Sequence, residues 1–170
     1  QQIAYTFFRS TKAERAFRYA GIFRKRGIET PHEIAFLETY EHGLFTTGYF
    51  ICIACPDPPA FPFLVPKEDY DKTLATDLVS LIVSMHQKGI VHGDLNFGNF
   101  LFRKSEKEAH YQFQVIDINR SLFFDTCPHK EVCLKNLSTI THQRDLFEFM
   151  VREYARQREW DEEETLAHTT

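Results

Sequence analysis

Apolar residues recur at helical spacing over residues 11–26 and predict an amphipathic helix there. Thr11, followed three residues later by Glu14, forms a capping-box pattern at its start. Gly27 supplies a stop signal at its end. The positions that share the apolar face are Ala13, Ala16, Phe17, Ala20 and Phe23.

Residues 32–41 and 46–55 are rich in β-branched and aromatic side chains, and the turn sequence EHGL lies between them. This arrangement predicts a β-hairpin. The run PDPPAFPFLVP, residues 56–66, follows with five prolines in eleven residues. Because proline disrupts both helices and strand ladders, we expect a stiff connector that continues neither.

Two later segments predict helices. Residues 69–88 carry an apolar stripe that ends at Gly89, and residues 143–158 carry a second stripe. The stripes consist of Leu74, Leu78, Leu81, Ile82 and Met85 in the first segment, and of Leu146, Phe149, Met150 and Tyr154 in the second. A mixed stretch without a clear pattern begins at Ser121, and the acidic tail, residues 160–170, is expected to fray.

The composition is that of a globular domain, with 170 residues, 43% hydrophobic and 26% charged. No apolar run is long enough to cross a bilayer, and no basic-then-apolar leader is visible. Since the chain begins with Gln1 rather than methionine, we expect it to be a fragment of a longer protein.

The cysteines, Cys52, Cys55, Cys127 and Cys133, do not form a disulfide framework for a chain of this size. Cys52 and Cys55 make a CxxC pattern, but their odd separation along an expected strand sends the two side chains to opposite faces. No second closely spaced pair completes a zinc site. We therefore expect free thiols, which suit a reducing cytoplasm.

The net charge of −4 is unevenly distributed along the chain. Residues 1–26 carry seven basic side chains and one acid, Glu14, and the remainder carries 13 basic and 23 acidic residues. The basic segment also contains Tyr5, Phe7 and Phe8, and it suits an anionic partner such as phosphate, a sugar acid or a membrane surface. A solvated helix face explains the same charges, and both interpretations stay open.

The strongest chemical signal lies in residues 90–119, which run IVHGDLNFGNFLF, then a polar connector, then FQVIDIN. Asp94 and Asn99 stand five residues apart, and Asp117 ends an apolar run. Carboxylate and amide oxygens are the ligands that Mg²⁺ prefers beside nucleotide phosphates, and a carboxylate can also serve as a general base.

A simpler interpretation of the same segment is a β-hairpin, with residues 99–104 and 111–118 as its strands and RKSEKEAH as its connector. The two aspartates are then solvated turn residues. We favour the catalytic interpretation because the spacing of the polar residues, the loop and the following strand all match one catalytic pattern. Both interpretations contain the hairpin.

The H-x-D pattern, the amide five residues after the aspartate and the strand that ends in a second aspartate resemble the catalytic segment of the protein-kinase-like superfamily. The resemblance implies that Asp94 orients the acceptor hydroxyl and takes its proton, and that Asn99 and Asp117 bind Mg²⁺ beside ATP. It implies that His92 braces the loop. Asn96 stands where protein kinases place a lysine, which favours a sugar or small-molecule acceptor over a peptide serine.

Further nucleotide contacts follow from the same resemblance. In kinase-like folds a glutamate of the first helix pairs with the phosphate-binding lysine, and Glu14 is the candidate because it is the only acid on that helix. Its capping role competes with this ion pair, and both stay open. The proline-rich run would be the hinge, where backbone groups near Ala54 and Cys55 meet the adenine.

The implied fold is α+β, a protein-kinase-like two-lobe fold whose N-terminal lobe is incomplete in this chain. Residues 1–55 would form the partial N-terminal lobe, 56–68 the hinge, and 69–170 the helical C-terminal lobe with the catalytic loop. No glycine-rich loop and no V-A-I-K-type lysine precede the first helix. Half of the nucleotide clamp is therefore missing from this chain, and we expect the fragment to bind nucleotide weakly.

Several segments narrow the resemblance to the lipopolysaccharide core kinase family, over about residues 3–160. They are the region from YTFFRSTKAERAFRYAG to IAFLE, then HGDLNFGNFLF, VIDINR, CLKNLSTI and REYARQREW. The family implies transfer of phosphate to Kdo or heptose sugars of the inner core of lipid A, with ATP and Mg²⁺. It also implies a cytoplasmic location, peripheral contact with the inner membrane, and a sugar or lipid-linked sugar as partner. No nucleic-acid partner is expected, and the sequence does not indicate the oligomeric state.

Two alternatives remain. An aminoglycoside-type or other small-molecule phosphotransferase shares the same loop. A pseudokinase or interaction module would explain the missing glycine-rich loop and lysine.

Overall fold

The computed structural model describes residues 10–65, 69–105 and 109–169. Some expectations lie outside the described residues. They concern Tyr5, Phe7 and Phe8, residues 66–68 at the end of the hinge, and residues 106–108 in the polar connector.

The first helix packs against a β-hairpin. Helix α1 covers Lys12–Lys25, and the antiparallel strands β1 and β2 cover Glu33–Glu41 and Leu44–Cys52, which confirms the predicted helix and hairpin. The rings of Phe17 on α1 and Phe36 on β1 lie 5.5 Å apart.

The helix begins and ends at the predicted signals. Thr11 Oγ1 accepts a hydrogen bond from the Glu14 amide at 3.1 Å, which satisfies one of the free amides of the first turn. Gly27 has a φ of +67°, the left-handed conformation in which glycine ends a helix without strain.

The remaining helices form the larger part of the molecule. Helix α2 covers Phe61–Leu64, α3 Lys72–Gln87, α4 Lys130–Leu137, α5 Arg144–Gln157 and α6 Glu162–Ala167. The side chains of α3 form the centre of the core, since Leu74, Ala75, Leu78, Val79, Ile82 and Met85 are buried. Burial of a leucine or isoleucine of this kind contributes about 1.5–3 kcal/mol.

Two pairs of short antiparallel strands position the polar loops between these helices. Strand β3 (Ile90–Val91) pairs with β6 (Leu122–Phe123), and β4 (Phe100–Lys104) pairs with β5 (Tyr111–Val115). The segment that follows β3 and the segment that precedes β6 are therefore held side by side.

The predicted hairpin at residues 99–104 and 111–118 is present, but its second strand ends earlier, at Val115. Asp117 has a left-handed φ of +53°, and a 3₁₀ turn over Ile118–Arg120 follows it. A left-handed residue cannot continue a strand, which explains the early end.

The proline-rich run was expected to be a stiff connector that continues neither helix nor strand, and this prediction was wrong in part. Phe61–Leu64 forms a short helix with proline in its first turn, where the missing amide is not needed. Pro59 pairs with Leu101 of β4 in an isolated bridge, and the Ala60 amide donates to the Phe100 carbonyl at 2.9 Å. The run is therefore attached to the β4–β5 hairpin.

The acidic tail was expected to fray, and this was also wrong. Asp161 begins α6 by accepting a hydrogen bond from the Glu164 amide at 2.7 Å. Arg152 of α5 lies 2.7 Å from Glu163 and binds the tail to the longer helix. The mixed stretch after Ser121 also contains a helix, α4, that its pattern did not indicate.

Cys55 lies beyond the end of β2, so the argument that Cys52 and Cys55 occupy opposite faces of one strand does not apply to it. All four cysteines are free thiols. Among the described residues, no helix combines the length and the apolar character that crossing a bilayer requires.

Candidate active site

His92 connects the loop after β3 to the end of β5. Its side chain is fully buried, and Nε2 donates to the Ile116 carbonyl at 3.0 Å. Nδ1 accepts from the Asp94 amide at 3.2 Å. Burial lowers the pKa of His92, and hydrogen bonds to Ile116 and Asp94 partly oppose that shift. Both ring nitrogens of a neutral imidazole are thus engaged within the protein.

Asp94 keeps an accessible carboxylate while its backbone is fixed. Asn99 Nδ2 donates to the Asp94 main-chain carbonyl at 2.8 Å, which closes the loop between the two residues. The carboxylate group is 40% exposed. It accepts from Asn96 Nδ2 at 3.2 Å and has Arg120 Nη1 at 3.8 Å on its other oxygen. This carboxylate therefore faces solvent with a neighbour on each side.

Asn96 has two contacts in the loop. While its amide nitrogen reaches Asp94, its Oδ1 accepts from the Gly98 amide at 2.9 Å and begins the 3₁₀ turn Phe97–Asn99. The Asn96 side chain thus contacts the Asp94 carboxylate and also caps the turn that contains Asn99.

Asn99 and Asp117 are brought together by the backbone. The Ile116 amide donates to the Asn99 carbonyl at 2.9 Å, so Asn99 lies beside the residue that precedes Asp117. Since Asn99 Nδ2 is used on Asp94, its Oδ1 is the atom available to a ligand. Asp117 is exposed, and its left-handed conformation, which aspartate tolerates better than most residues, turns the chain sharply at this point.

Asn119 and Arg15 support Asp117 from the side of α1. Asn119 Nδ2 donates to Asp117 Oδ1 at 2.5 Å. Arg15 Nε donates to the Asn119 main-chain carbonyl at 2.9 Å, across 104 positions of sequence. The conformation after Asp117 is therefore coupled to the first helix.

A cavity of about 370 Å³ lies between α1, the β1–β2 hairpin and the segment around Asp117. Lys12 and Phe50 line it together with Asp117 and Asn119. It is bounded further by Ala13, Ala16, Thr30, Pro31, Gly48, Cys52, Ile116 and Ile118. A mostly apolar space with a carboxylate at its edge is typical of small-molecule sites.

The remaining predicted contacts lie elsewhere. Glu14 is absent from the cavity wall, and its carboxylate lies 2.9 Å from Arg18 on the next turn of α1. Ala54 is exposed and Cys55 is half-buried after the end of β2, and neither lines this cavity. Burial raises the pKa of the Cys55 thiol.

A buried chain of hydrogen bonds supports the loop from behind. Arg158 Nη1 donates to Tyr154 Oη at 2.9 Å, and Tyr154 Oη lies 2.8 Å from His86 Nδ1. His86 Nε2 lies 3.0 Å from Asn136 Oδ1, and Asn136 Nδ2 donates to the His92 carbonyl at 2.7 Å. Because Asn136 Oδ1 can only accept, His86 carries its proton on Nε2 and accepts from Tyr154 on Nδ1.

Burial, aided by the charge of Arg158 and opposed by the hydrogen bond to Asn136, lowers the pKa of His86 to about 4. Sequence reasoning did not predict the hydrogen bonds that join Arg158, Tyr154, His86 and Asn136. Tyr154 was assigned to an apolar helix face, and no local pattern marked His86 or Asn136. Arg120 was noticed only as a residue of the IDINR sequence.

Comparison with known proteins gives the family and the fold. The sequence model of the "Lipopolysaccharide kinase (Kdo/WaaP) family" matches residues 63–162, a span that includes Asp94, Asn99 and Asp117. No curated protein matches the sequence.

Among solved structures, the chain is similar to WaaP in complex with acyl carrier protein, with a TM-score of 0.64 and 20% identity, over 92% of this chain and 73% of that one. It also matches the Rio2 kinase–ADP/Mg²⁺–phosphoaspartate complex from Chaetomium thermophilum, with a TM-score of 0.48 and 16% identity, over 92% of this chain and 44% of that one.

The likeness to WaaP confirms the α+β, protein-kinase-like fold, of which this chain carries a part. Since the matched span of the family model exceeds half of the chain, the protein belongs to the lipopolysaccharide kinase (Kdo/WaaP) family and is a kinase.

Proposed function

We propose that the protein transfers the γ-phosphoryl group of ATP to a hydroxyl of an inner-core sugar of lipopolysaccharide, either Kdo or heptose. The observation that carries this proposal is the mutual placement of Asp94, Asn99 and Asp117. A backbone hydrogen bond from the Ile116 amide to the Asn99 carbonyl and a side-chain hydrogen bond from Asn99 Nδ2 to the Asp94 carbonyl hold this region together. Family membership supplies the chemical context.

Asp94 is the proposed general base. Its carboxylate is accessible, and a base must come within hydrogen-bond reach of the acceptor hydroxyl, about 2.6–3.2 Å. The acceptor oxygen bonds to the γ-phosphorus while the bond from that phosphorus to the β–γ bridging oxygen breaks. The hydroxyl proton passes to Asp94, and ADP leaves. Asn96 orients the carboxylate, and His92 braces the loop.

Asn99 and Asp117 are the proposed ligands of Mg²⁺. Their donor set fits the ion, because an amide oxygen left free by its own nitrogen and an exposed carboxylate are hard oxygen ligands. When bound, the ion neutralises negative charge on the phosphates during transfer. Asn119 and Arg15 hold Asp117 in position for this role.

The nucleotide contacts on the N-terminal side also remain proposals. In this proposal, backbone groups at Ala54 and Cys55 would meet the adenine, and Glu14 would pair with the phosphate-binding lysine after leaving Arg18. The corresponding division is a partial N-terminal lobe at residues 1–55, a hinge at 56–68 and a C-terminal lobe at 69–170. A lipid-linked acceptor would require peripheral contact with the inner membrane from the cytoplasm.

The test is an acceptor panel with the natural full-length protein. Radiolabelled ATP and Mg²⁺ are supplied with Kdo-lipid A, with a heptose-bearing core, or with an aminoglycoside, and products are identified by mass spectrometry. We expect transfer to one of the two lipopolysaccharide acceptors. Transfer to the aminoglycoside alone would replace this proposal with the small-molecule phosphotransferase. No transfer to any acceptor would favour the pseudokinase.

A further inference from the structure

Arg120 occupies a defined position beside the proposed base. It is the last residue of the 3₁₀ turn after Asp117, and Ser121, which follows it, is buried and donates its amide to the Ile118 carbonyl at 3.0 Å. A Cβ added at Gly93 would lie 2.1 Å from the Arg120 carbonyl oxygen and 2.8 Å from the Arg120 Cβ. The backbone of Arg120 therefore fits against the residue that precedes Asp94.

The side chain of Arg120 is only loosely engaged. Its Nη1 lies 3.8 Å from Asp94 Oδ2, beyond hydrogen-bond distance, and the side chain is 58% exposed. Within the described part of the chain, this ion pair is the sole polar contact of the guanidinium. An exposed ion pair of this length contributes little to stability. A fixed backbone thus presents a guanidinium whose donors remain available to a ligand.

The position of this guanidinium relative to Asp94 limits what it can bind. An acceptor hydroxyl must lie within hydrogen-bond reach of Asp94, and Arg120 is adjacent to that same carboxylate. Groups on the sugar carbons next to the reacting hydroxyl consequently lie within reach of Arg120. Guanidinium binds carboxylate and phosphate groups in a planar, bidentate geometry, and this geometry distinguishes it from an ammonium.

We propose that Arg120 binds an anionic group of the acceptor, a carboxylate or a phosphate, close to the hydroxyl that is phosphorylated. This inference rests on the proposed function and assigns its acceptor specificity to one residue. When the anion binds, the guanidinium turns from Asp94 to that anion, and the exposed Asp94 carboxylate meets the acceptor hydroxyl. A neutral sugar with the same hydroxyl lacks the group that completes this exchange.

The competing explanation is that Arg120 acts on Asp94 alone, by holding its carboxylate in place. Both explanations predict lower activity when Arg120 is replaced. They differ in the acceptor, because only direct binding makes the effect depend on the charge of the acceptor.

The experiment measures kcat/KM for paired acceptors with the natural full-length protein. Kdo-lipid A is compared with its Kdo carboxamide, and a phosphorylated heptose core with its dephosphorylated form, so that the two sources of negative charge are separated. We expect the wild-type protein to prefer the charged member of one pair by about 10–100-fold, as for a charge-assisted hydrogen bond.

Arg120→Gln should lose that preference, with the ratio within the pair falling to about one, and Arg120→Lys should retain part of it. Arg156→Gln is the matched control. Arg156 is similarly exposed, at 63%, and pairs with Glu153 on α5, so this variant should keep the wild-type ratio.

An Arg120→Gln protein that loses activity equally on both members of the pair, with the wild-type ratio retained, would overturn the inference and leave the proposed function intact. A wild-type protein that transfers phosphate but does not distinguish charged from neutral acceptors would also overturn the inference and leave the proposed function intact. Absence of transfer by the wild-type protein would overturn the proposed function, and the inference with it.

Discussion

The side-chain amide of Asn136 donates a hydrogen bond to the main-chain carbonyl of His92 at 2.7 Å, across 44 positions of sequence. The oxygen of the same side chain, Asn136 Oδ1, lies 3.0 Å from His86 Nε2. Asn136 therefore joins the catalytic loop to the buried chain that runs through His86 and Tyr154 to Arg158. The loop that carries Asp94 is supported by helices α3, α4 and α5 together.

Replacement of Asn136 tests this support. Asn136→Ala leaves the His92 carbonyl and His86 Nε2 without their partner, and an unsatisfied buried polar group costs about 1–3 kcal/mol. We expect a loss of that size in the free energy of unfolding, measured by urea denaturation. Lys135→Ala, an exposed position on the same helix, should change it by less than about 0.5 kcal/mol. Equal effects of the two variants would show that Asn136 has no supporting role.

The low pKa of His86 predicts a dependence of stability on pH. Its pKa is about 4 in the folded protein, against an ordinary value of 6.5, so between these values the unfolded chain binds a proton that the folded protein does not. The contribution is fully present above pH 6.5 and is lost as the pH falls toward 4. We expect His86 to account for a loss of about 2 kcal/mol between pH 7.5 and pH 5.

The measurement compares urea denaturation at the two pH values. His86→Gln should have a smaller difference in unfolding free energy between pH 7.5 and pH 5 than the wild-type protein. His142→Gln removes an exposed histidine and controls for the loss of an imidazole. An unchanged pH dependence in His86→Gln would contradict the assignment of His86 as a buried, neutral residue.

Gly93 is required by the close approach of Arg120. A Cβ at Gly93 would lie 2.1 Å from a backbone oxygen, and backbone cannot move aside as the end of a flexible side chain can. Gly93→Ala should therefore strongly destabilise the protein or displace the catalytic loop, with loss of activity.

Gly21→Ala is the matched substitution, since a Cβ there meets its nearest neighbour at 3.6 Å within helix α1. It should stabilise the protein by about 0.5–1 kcal/mol, because alanine favours the helix interior over glycine. Thermal denaturation and phosphate transfer measured on both variants check this contrast. A Gly93→Ala protein as stable and active as the wild type would refute it.

The parts of the fold that the sequence predicted correctly are those with strong local signals. Helix α1 has a cap, an apolar stripe and a glycine stop within 17 residues, and the Asp94–Asn99 spacing is confined to one loop. Asn136 gave no such signal, because its role depends on His86 and His92, which lie 50 and 44 positions earlier in the sequence. Long-range contacts of this kind cannot be deduced from periodicity.

The wrong predictions for the acidic tail and the proline-rich run have a similar cause. The tail was judged from its run of acids alone, but Arg152, on the preceding helix, provides the opposite charge that holds α6 in place. The proline-rich run was judged from proline count, but its Ala60 amide and Pro58 carbonyl pair with β4. In both segments, tertiary contacts outweighed the local preference.

The proposed phosphoryl transfer requires Asp94 to take the proton of the acceptor hydroxyl. The most direct measurement is the rate of phosphate transfer from ATP to the acceptor found in the panel, for the full-length wild-type protein and its Asp94→Asn variant. Asp125→Asn, an exposed position, is the control. We predict that Asp94→Asn lowers kcat by about 10²–10⁴-fold while Asp125→Asn remains near wild type. An Asp94→Asn protein that folds normally and transfers phosphate at the wild-type rate would show that Asp94 is not the general base.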